Sequence, residues 1–117
     1  MLSAMKQIAL AILLFLFAYV SVADDGQVAM TGTIVDMHCY TARGAQGEDH
    51  ASCANACISR DVPAGFLAED GTLYLLVNEK PVSVKEKVAG KAGKKVTVHG
   101  KVVERSGVKA LQLASVD

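Results

Sequence analysis

Tryptophan is absent from this sequence, and only Tyr40, Phe66 and Tyr74 supply aromatic rings after the apolar N-terminal segment. Neither sign of charge is in excess, since 12 basic residues balance 12 acidic ones. Proteins that bind single-stranded nucleic acids combine a basic groove with stacked aromatic side chains. The sequence provides neither feature, and we therefore expect no nucleic-acid binding.

Cysteines are few, and they fit no common short motif. Covalent haem attachment needs C-x-x-C-H and thioredoxin-like redox sites need C-x-x-C, and neither run occurs here. The count of three is informative, because a framework of disulfides normally contains an even number of cysteines. The odd count favours a thiol that binds a metal, reacts, or pairs with another molecule.

The longest unbroken apolar run, residues 8–20, lies between Lys6 and the small residues Ser21 and Ala23. A charged start, a short apolar stretch and small residues at a cleavage site are the three parts of a secretory signal peptide. The run is short for a membrane-spanning helix, which takes about 20 residues. We therefore expect residues 1–23 to be removed, residues 24–117 to form one periplasmic or secreted domain, and membrane contact only during export.

Strand patterns dominate residues 24–117. Alternating or apolar stretches typical of strands occur five times: in residues 27–36, in the two arms of 66–77, in 95–104 and in 108–116. Asp70-Gly71 predicts a tight turn inside the first hairpin, because glycine accepts the positive φ of such a turn. A helical spacing over residues 81–90 predicts a short helix before the second hairpin. This order predicts a mainly β fold, a small five-stranded OB-like barrel with its short helix between strands 3 and 4.

Two glycines support the barrel. Gly32 and Gly100 lie in similar sequence contexts, in the middle of the first and fourth predicted strands. Small barrels need glycine where strongly coiled strands bend. We expect both residues to lie where the strands of the barrel bend.

Residues 37–62 form an insert between the first two predicted strands, and they contain all three cysteines and two of the three histidines. An acidic start and a basic end predict a helix over residues 49–60, after a loop at 41–47. On this helix His50, Cys53 and Cys57 occupy positions i, i+3 and i+7. That spacing places the three side chains on one helix face.

Cys39, at the end of the first strand, can meet this face if the helix folds back over the barrel. The pattern is then C-x10-H-x2-C-x3-C, and three thiolates with one imidazole suit Zn²⁺ in a closed tetrahedral site and also suit Cu⁺. Met37 and His38 are accessory ligand candidates, and Asp36 is a candidate for orienting a histidine ligand. The expected function is binding of a zinc or copper ion, without enzymatic activity, by four residues: Cys39, His50, Cys53 and Cys57.

A disulfide explains the same cysteines. Small exported domains use disulfides that stabilise the fold by about 2–4 kcal/mol. A bridge from Cys39 to Cys53 or Cys57 would tie the insert to the barrel and leave one thiol free. The protein would then be an interaction module for an unidentified protein partner, without a metal. The sequence alone leaves both hypotheses open.

Three runs carry a resemblance that extends over most of residues 24–117: GTIVDMHCY, HASCANACISRDVPAGFLAEDGTLYLLV and AGKKVTVHGKVVERSGVKALQL. The chain resembles a group of small exported bacterial proteins with an OB-like barrel and no assigned biochemical activity. The resemblance implies the barrel fold and identifies the cysteine and histidine pattern as a recurring feature of that group. It implies no particular ligand or reaction.

Overall fold

Five strands close into a barrel in the computed structural model, which describes residues 26–117. The strands are β1 Gln27–Asp36, β2 Ala64–Ala68, β3 Leu73–Asn78, β4 Lys95–Arg105 and β5 Val108–Val116. The mainly β, OB-like barrel expected from the sequence is thereby confirmed. The expected signal segment, residues 1–23, lies outside the described residues.

The strand order around the barrel is β1-β2-β3-β5-β4, and β4 returns to β1. β1 is antiparallel to both neighbours, with Gly32 opposite Ala68 of β2 and Val96 of β4. The pairing of β3 with β5 is parallel and aligns Leu75 with Ala110. β1 is therefore hydrogen-bonded on both edges, and its last residues lie at the end of the barrel where the insert begins.

Gly32 and Gly100 lie where another backbone approaches too closely for a side chain. A Cβ atom at Gly32 would be 2.2 Å from the Leu67 carbonyl oxygen, and one at Gly100 would be 2.2 Å from the Gln112 carbonyl oxygen. The pairing of β4 with β5 also shifts register between His99 and Gly100. The sequence predicted a special geometry at both glycines and attributed it to bends; the structure shows that close approach of a neighbouring strand requires them.

Within residues 26–117 three α-helices accompany the barrel: α1 Met37–Arg43, α2 Ala51–Ser59 and α3 Lys85–Val88. The short helix α3 lies between β3 and β4, as predicted. The insert differs in detail from its prediction, since residues 37–43 form a helix where a loop was expected from residue 41. A 3-10 turn, Glu48–His50, precedes α2, so the helix predicted over residues 49–60 is divided in two.

The core fills the barrel and extends under the helices. Phe66, Ile34 and Leu111 are fully buried inside it. Ala54 and Ile58 of α2 belong to the same cluster, which shows that α2 covers the barrel and contributes to its core. Within residues 26–117 no helix has the length and apolar character needed to cross a membrane.

Candidate metal centre

Asp36 ends β1 and begins α1. Its backbone is still extended, with φ −79° and ψ 132°, and its carboxylate accepts a hydrogen bond from the Cys39 amide at 2.7 Å. An acidic residue in this position satisfies one of the free N–H groups of the first helical turn. Gly44, with φ 69°, ends the helix and donates its amide to the Tyr40 carbonyl at 2.7 Å. These two caps fix Cys39 in the first turn, where its side chain is buried.

Contacts with the segment before β4 hold α2 in place. Asn55 of α2 accepts the Ala92 amide at 3.0 Å and donates to the Ala92 carbonyl at 3.3 Å. Ala51 packs against Gly93 so closely that a Cβ atom on this glycine would be 2.5 Å from the alanine Cβ. Because α2 is anchored by both contacts and by its core residues, the position of Cys53 is set by the barrel.

Cys39, His50 and Cys53 converge between α1 and α2. One ligand atom from each residue, sulfur for the cysteines and a ring nitrogen for the histidine, lies within 4.8 Å of the other two. Cys39 is buried, His50 is partly buried and Cys53 is exposed. Three of the four residues predicted from the spacing are therefore brought together.

Asp36 also contacts the histidine of this cluster. His50 Nε2 lies 2.9 Å from the second carboxylate oxygen of Asp36. The Asp36 side chain is fully buried. With Nε2 donating to the carboxylate, the lone pair of His50 Nδ1 remains for an ion. The sequence predicted this orienting role for Asp36, and its additional role as the N-cap of α1 went unrecognised. Aspartate is a preferred N-cap residue, and an aspartate at position 36 with a glycine at position 44 is the signal that could have suggested a helix between them.

The buried carboxylate of Asp36 is held in its charged form. Burial alone would raise the pKa of Asp36, but hydrogen bonds from the Cys39 amide and from His50 lower this pKa below its ordinary value. A charged carboxylate beside the imidazole is the common arrangement around metal-binding histidines. The negative charge also favours a cation in the cluster.

Cys39 has the opposite shift. Burial raises the pKa of its thiol, and the hydrogen bond to Asp36 and the negative charge of Asp36 raise it further. A thiol with a raised pKa is a poor nucleophile, because the thiolate is the reactive form. Asp36, His50 and Cys39 therefore share the residue types of a catalytic triad without the activated nucleophile that such a triad needs. A bound metal ion, in contrast, displaces the proton from a coordinating thiol.

The other predicted ligands lie outside the cluster. Cys57 is one turn beyond Cys53 on α2, about 6 Å further along the helix axis, and its sulfur accepts a contact from Arg60 Nη2 at 3.8 Å. The Met37 sulfur packs over Gly65, beside the Val35 side chain. Val35 and Asp36 are neighbours in a strand and point to opposite faces, so Met37 lies on the side of the strand away from the Asp36 carboxylate. His38 is exposed on α1. The expected four-residue ligand set is thus reduced to three.

The disulfide that the sequence left open as an alternative is not formed. Cys39, Cys53 and Cys57 are all free thiols. Cys53 and Cys57 stand one above the other on a single helix, a placement that does not give the dihedral angle a disulfide requires. The insert instead contacts the barrel segment before β4 through the hydrogen bonds of Asn55 with Ala92. The contact between the insert and the barrel is therefore made by packing and hydrogen bonds.

Two sulfurs, one imidazole nitrogen and an orienting carboxylate form a ligand set that can hold a soft or borderline metal ion. The donors come from α1 and from the segment formed by the 3-10 turn and α2, which the barrel positions independently, so their convergence is a property of the fold. Comparisons of the chain with models of protein families, with curated proteins and with solved structures find no match to any of them.

Proposed function

We propose that this protein is an exported metal-binding protein that holds a zinc or copper ion through Cys39, His50 and Cys53. The observation that carries the proposal is the convergence of three donor atoms within 4.8 Å of one another, contributed by α1, by the 3-10 turn Glu48–His50 and by α2. Thiolate and imidazole donors are those that Zn²⁺ and copper ions prefer in proteins. The signal-like residues 1–23 support export.

The surroundings of the three donors support the same conclusion. Asp36 is positioned to fix the tautomer of His50, and a carboxylate behind a histidine ligand typically strengthens metal affinity 10- to 100-fold. Zinc normally takes four ligands, so three protein donors leave one position for water or for a ligand from outside. This number of protein ligands is typical of zinc sites that exchange or activate a ligand, whereas purely structural zinc sites are closed.

Metal content and cobalt absorption test the ligand set. The exported protein should retain about one zinc or copper ion per chain, and Co²⁺ in the site should produce the charge-transfer absorption typical of thiolate ligands. Cys53→Ser and His50→Ala should lose the ion, because each removes one of three donors.

Matched controls come from the residues that the structure places outside the cluster. Cys57→Ser removes a thiol from the same helix, and His38→Ala removes an exposed histidine from the neighbouring helix. Both should retain the ion at equilibrium. Equal loss from controls and cluster variants, or protein isolated metal-free with Cys39 and Cys53 oxidised, would contradict the proposal.

A further inference from the structure

The cluster is closed on one side and open on the other. Only 6% of Cys39 is exposed, and the His50 side chain is 14% exposed. Cys53, the third donor, is exposed on the outer surface of α2. An ion bound here would therefore be shielded by the barrel on the Cys39 side and would face solvent on the Cys53 side.

A further thiol lies next to the open side. Cys57 is four residues after Cys53, so the two side chains share a face of α2. Cys57 is partly exposed and lies outside the group of three donors. Helical residues four apart can bind one ion together, as the paired histidines of zinc proteases do. Cys57 can therefore reach an ion that also contacts Cys53.

We propose that the ion is exchangeable cargo, and that Cys57 is the first additional ligand it meets as it moves between the cluster and a thiolate donor outside the protein. This inference rests on the metal binding proposed above. A structural zinc site is closed by four protein ligands, whereas here three donors leave one position open and burial decreases from Cys39 to the exposed Cys53. The gradient gives an incoming ligand access without unfolding the insert.

Each step of the exchange is a ligand substitution. The Cys57 sulfur loses its proton to water as it bonds to the ion in the open position. Thiolates of the acceptor then bond to the ion, each after losing a proton, and the bonds to the protein donors break in turn. Every departing cysteine regains a proton, the oxidation state of the ion is unchanged, and no oxidant or reductant is needed.

Transfer kinetics test this role. The zinc-loaded full-length exported protein is mixed with an excess of a chromophoric chelator, and the rate of zinc loss is followed at increasing concentrations of glutathione or of a short peptide with two cysteines. The rate should rise with thiol concentration, because exchange begins with an incoming ligand. Cys57→Ser should slow thiol-dependent transfer about tenfold, the effect of ~1.4 kcal/mol on the barrier, while equilibrium zinc affinity stays unchanged.

Ser59→Ala is the matched control, since it changes an exposed hydroxyl two residues from Cys57 on the same helix. It should transfer zinc at the unaltered rate. Acceleration by both thiols indicates exchange with free thiols, and acceleration by the peptide alone indicates a polypeptide partner; either supports the proposal. The inference is overturned if the rate of zinc loss does not change with thiol concentration, or if Cys57→Ser does not change that rate. Either result leaves the proposed metal binding intact. A protein that binds no zinc or copper at equilibrium overturns both.

Discussion

Asp36→Asn separates the orienting role of this carboxylate from its structural role. The substitution keeps the shape of the side chain, and its remaining carbonyl oxygen can still accept the Cys39 amide, now 2.7 Å away. The second position, 2.9 Å from His50 Nε2, becomes an NH₂ group that can only donate. His50 must then accept at Nε2 and carry its proton on Nδ1. The nitrogen left for the ion would be blocked.

The expected loss is a change in metal affinity with little change in stability. Loss of a carboxylate partner typically costs 10- to 100-fold in affinity, about 1.4–2.7 kcal/mol, and the wrong tautomer places this variant at the upper end. Both hydrogen bonds of the fold persist with a suitable donor and acceptor. Asp36→Ala, in contrast, removes the helix cap and leaves the Cys39 amide without its acceptor, which together lower the free energy of unfolding by about 0.5–2 kcal/mol.

Competition with a chromophoric chelator measures the zinc affinity, nitrogen NMR of His50 reports its tautomer, and urea unfolding gives the stability. Asp49→Asn is the matched control, because it removes the same charge from an exposed residue adjacent to His50. Unaltered zinc affinity in Asp36→Asn with a switched His50 tautomer would refute the assignment of Nδ1 as the ligand. An equal loss of affinity in Asp49→Asn would show that net charge, rather than hydrogen bonding, is responsible.

Four further outcomes are expected. Gly32→Ala should lower the free energy of unfolding by about 1–3 kcal/mol or more, because the new Cβ would overlap the Leu67 carbonyl oxygen. Urea unfolding measures the change, and an unchanged midpoint would contradict this expectation. The hydrogen bond from the Thr72 amide holds the pKa of Asp70 below its ordinary range. The stabilisation from this bond is therefore fully present above the pKa of Asp70 in the unfolded chain, and it is lost as the pH falls through the pKa in the folded protein. Carbon NMR of the Asp70 carboxyl group checks the direction of the shift. N-terminal sequencing of the exported protein should begin at Asp24, and an intact chain in the cytoplasm would contradict export. A strong chelator should lower Tm without unfolding the barrel, and no change in Tm would argue against a bound ion.

The strands could be predicted because each leaves a local signal. Residues 27–36 are rich in β-branched and apolar residues that alternate in part with polar ones, and Asp70-Gly71 forms the turn of the first hairpin, where Gly71 has φ 87°. Barrel closure followed from the order of the elements together with Gly32 and Gly100. These features depend on neighbouring residues and on a known topology, so they are readable without coordinates.

Helix α1 could not be predicted in the same way. Residues 37–43 span only about two turns and include four residues of intermediate helix propensity, His38, Cys39, Tyr40 and Thr41, so local composition alone does not predict a stable helix. The helix forms because the buried carboxylate of Asp36 caps it and because Gly44 ends it with a positive φ. Burial of Asp36 depends on the barrel and on His50, and this tertiary contact leaves no trace in local composition.

Cys57 was included in the predicted ligand set because helical spacing identifies which residues share a helix face. It does not say where along that face Cys39 approaches the helix. His50 belongs to a 3-10 turn, so the continuous helix assumed from residue 49 does not extend through it. The point at which Cys39 meets α2 depends on how the capped helix α1 leaves β1. That point is near Cys53, and Cys57 lies a full turn beyond it.

The donors are held in place by contacts that do not involve an ion. Asn55 and the packing of Ala51 on Gly93 fix α2, while the Asp36 cap fixes the first turn of α1. A zinc finger gains its fold from the metal, because its donors are separated in the unfolded chain and little core exists without the ion. Here the barrel buries its own core, so the free energy of folding comes mainly from the barrel, and the binding energy of the proposed ion would be left for affinity and selectivity. An ion that is unnecessary for folding can leave and return without loss of the structure, which is the physical requirement for a protein that carries an exchangeable metal.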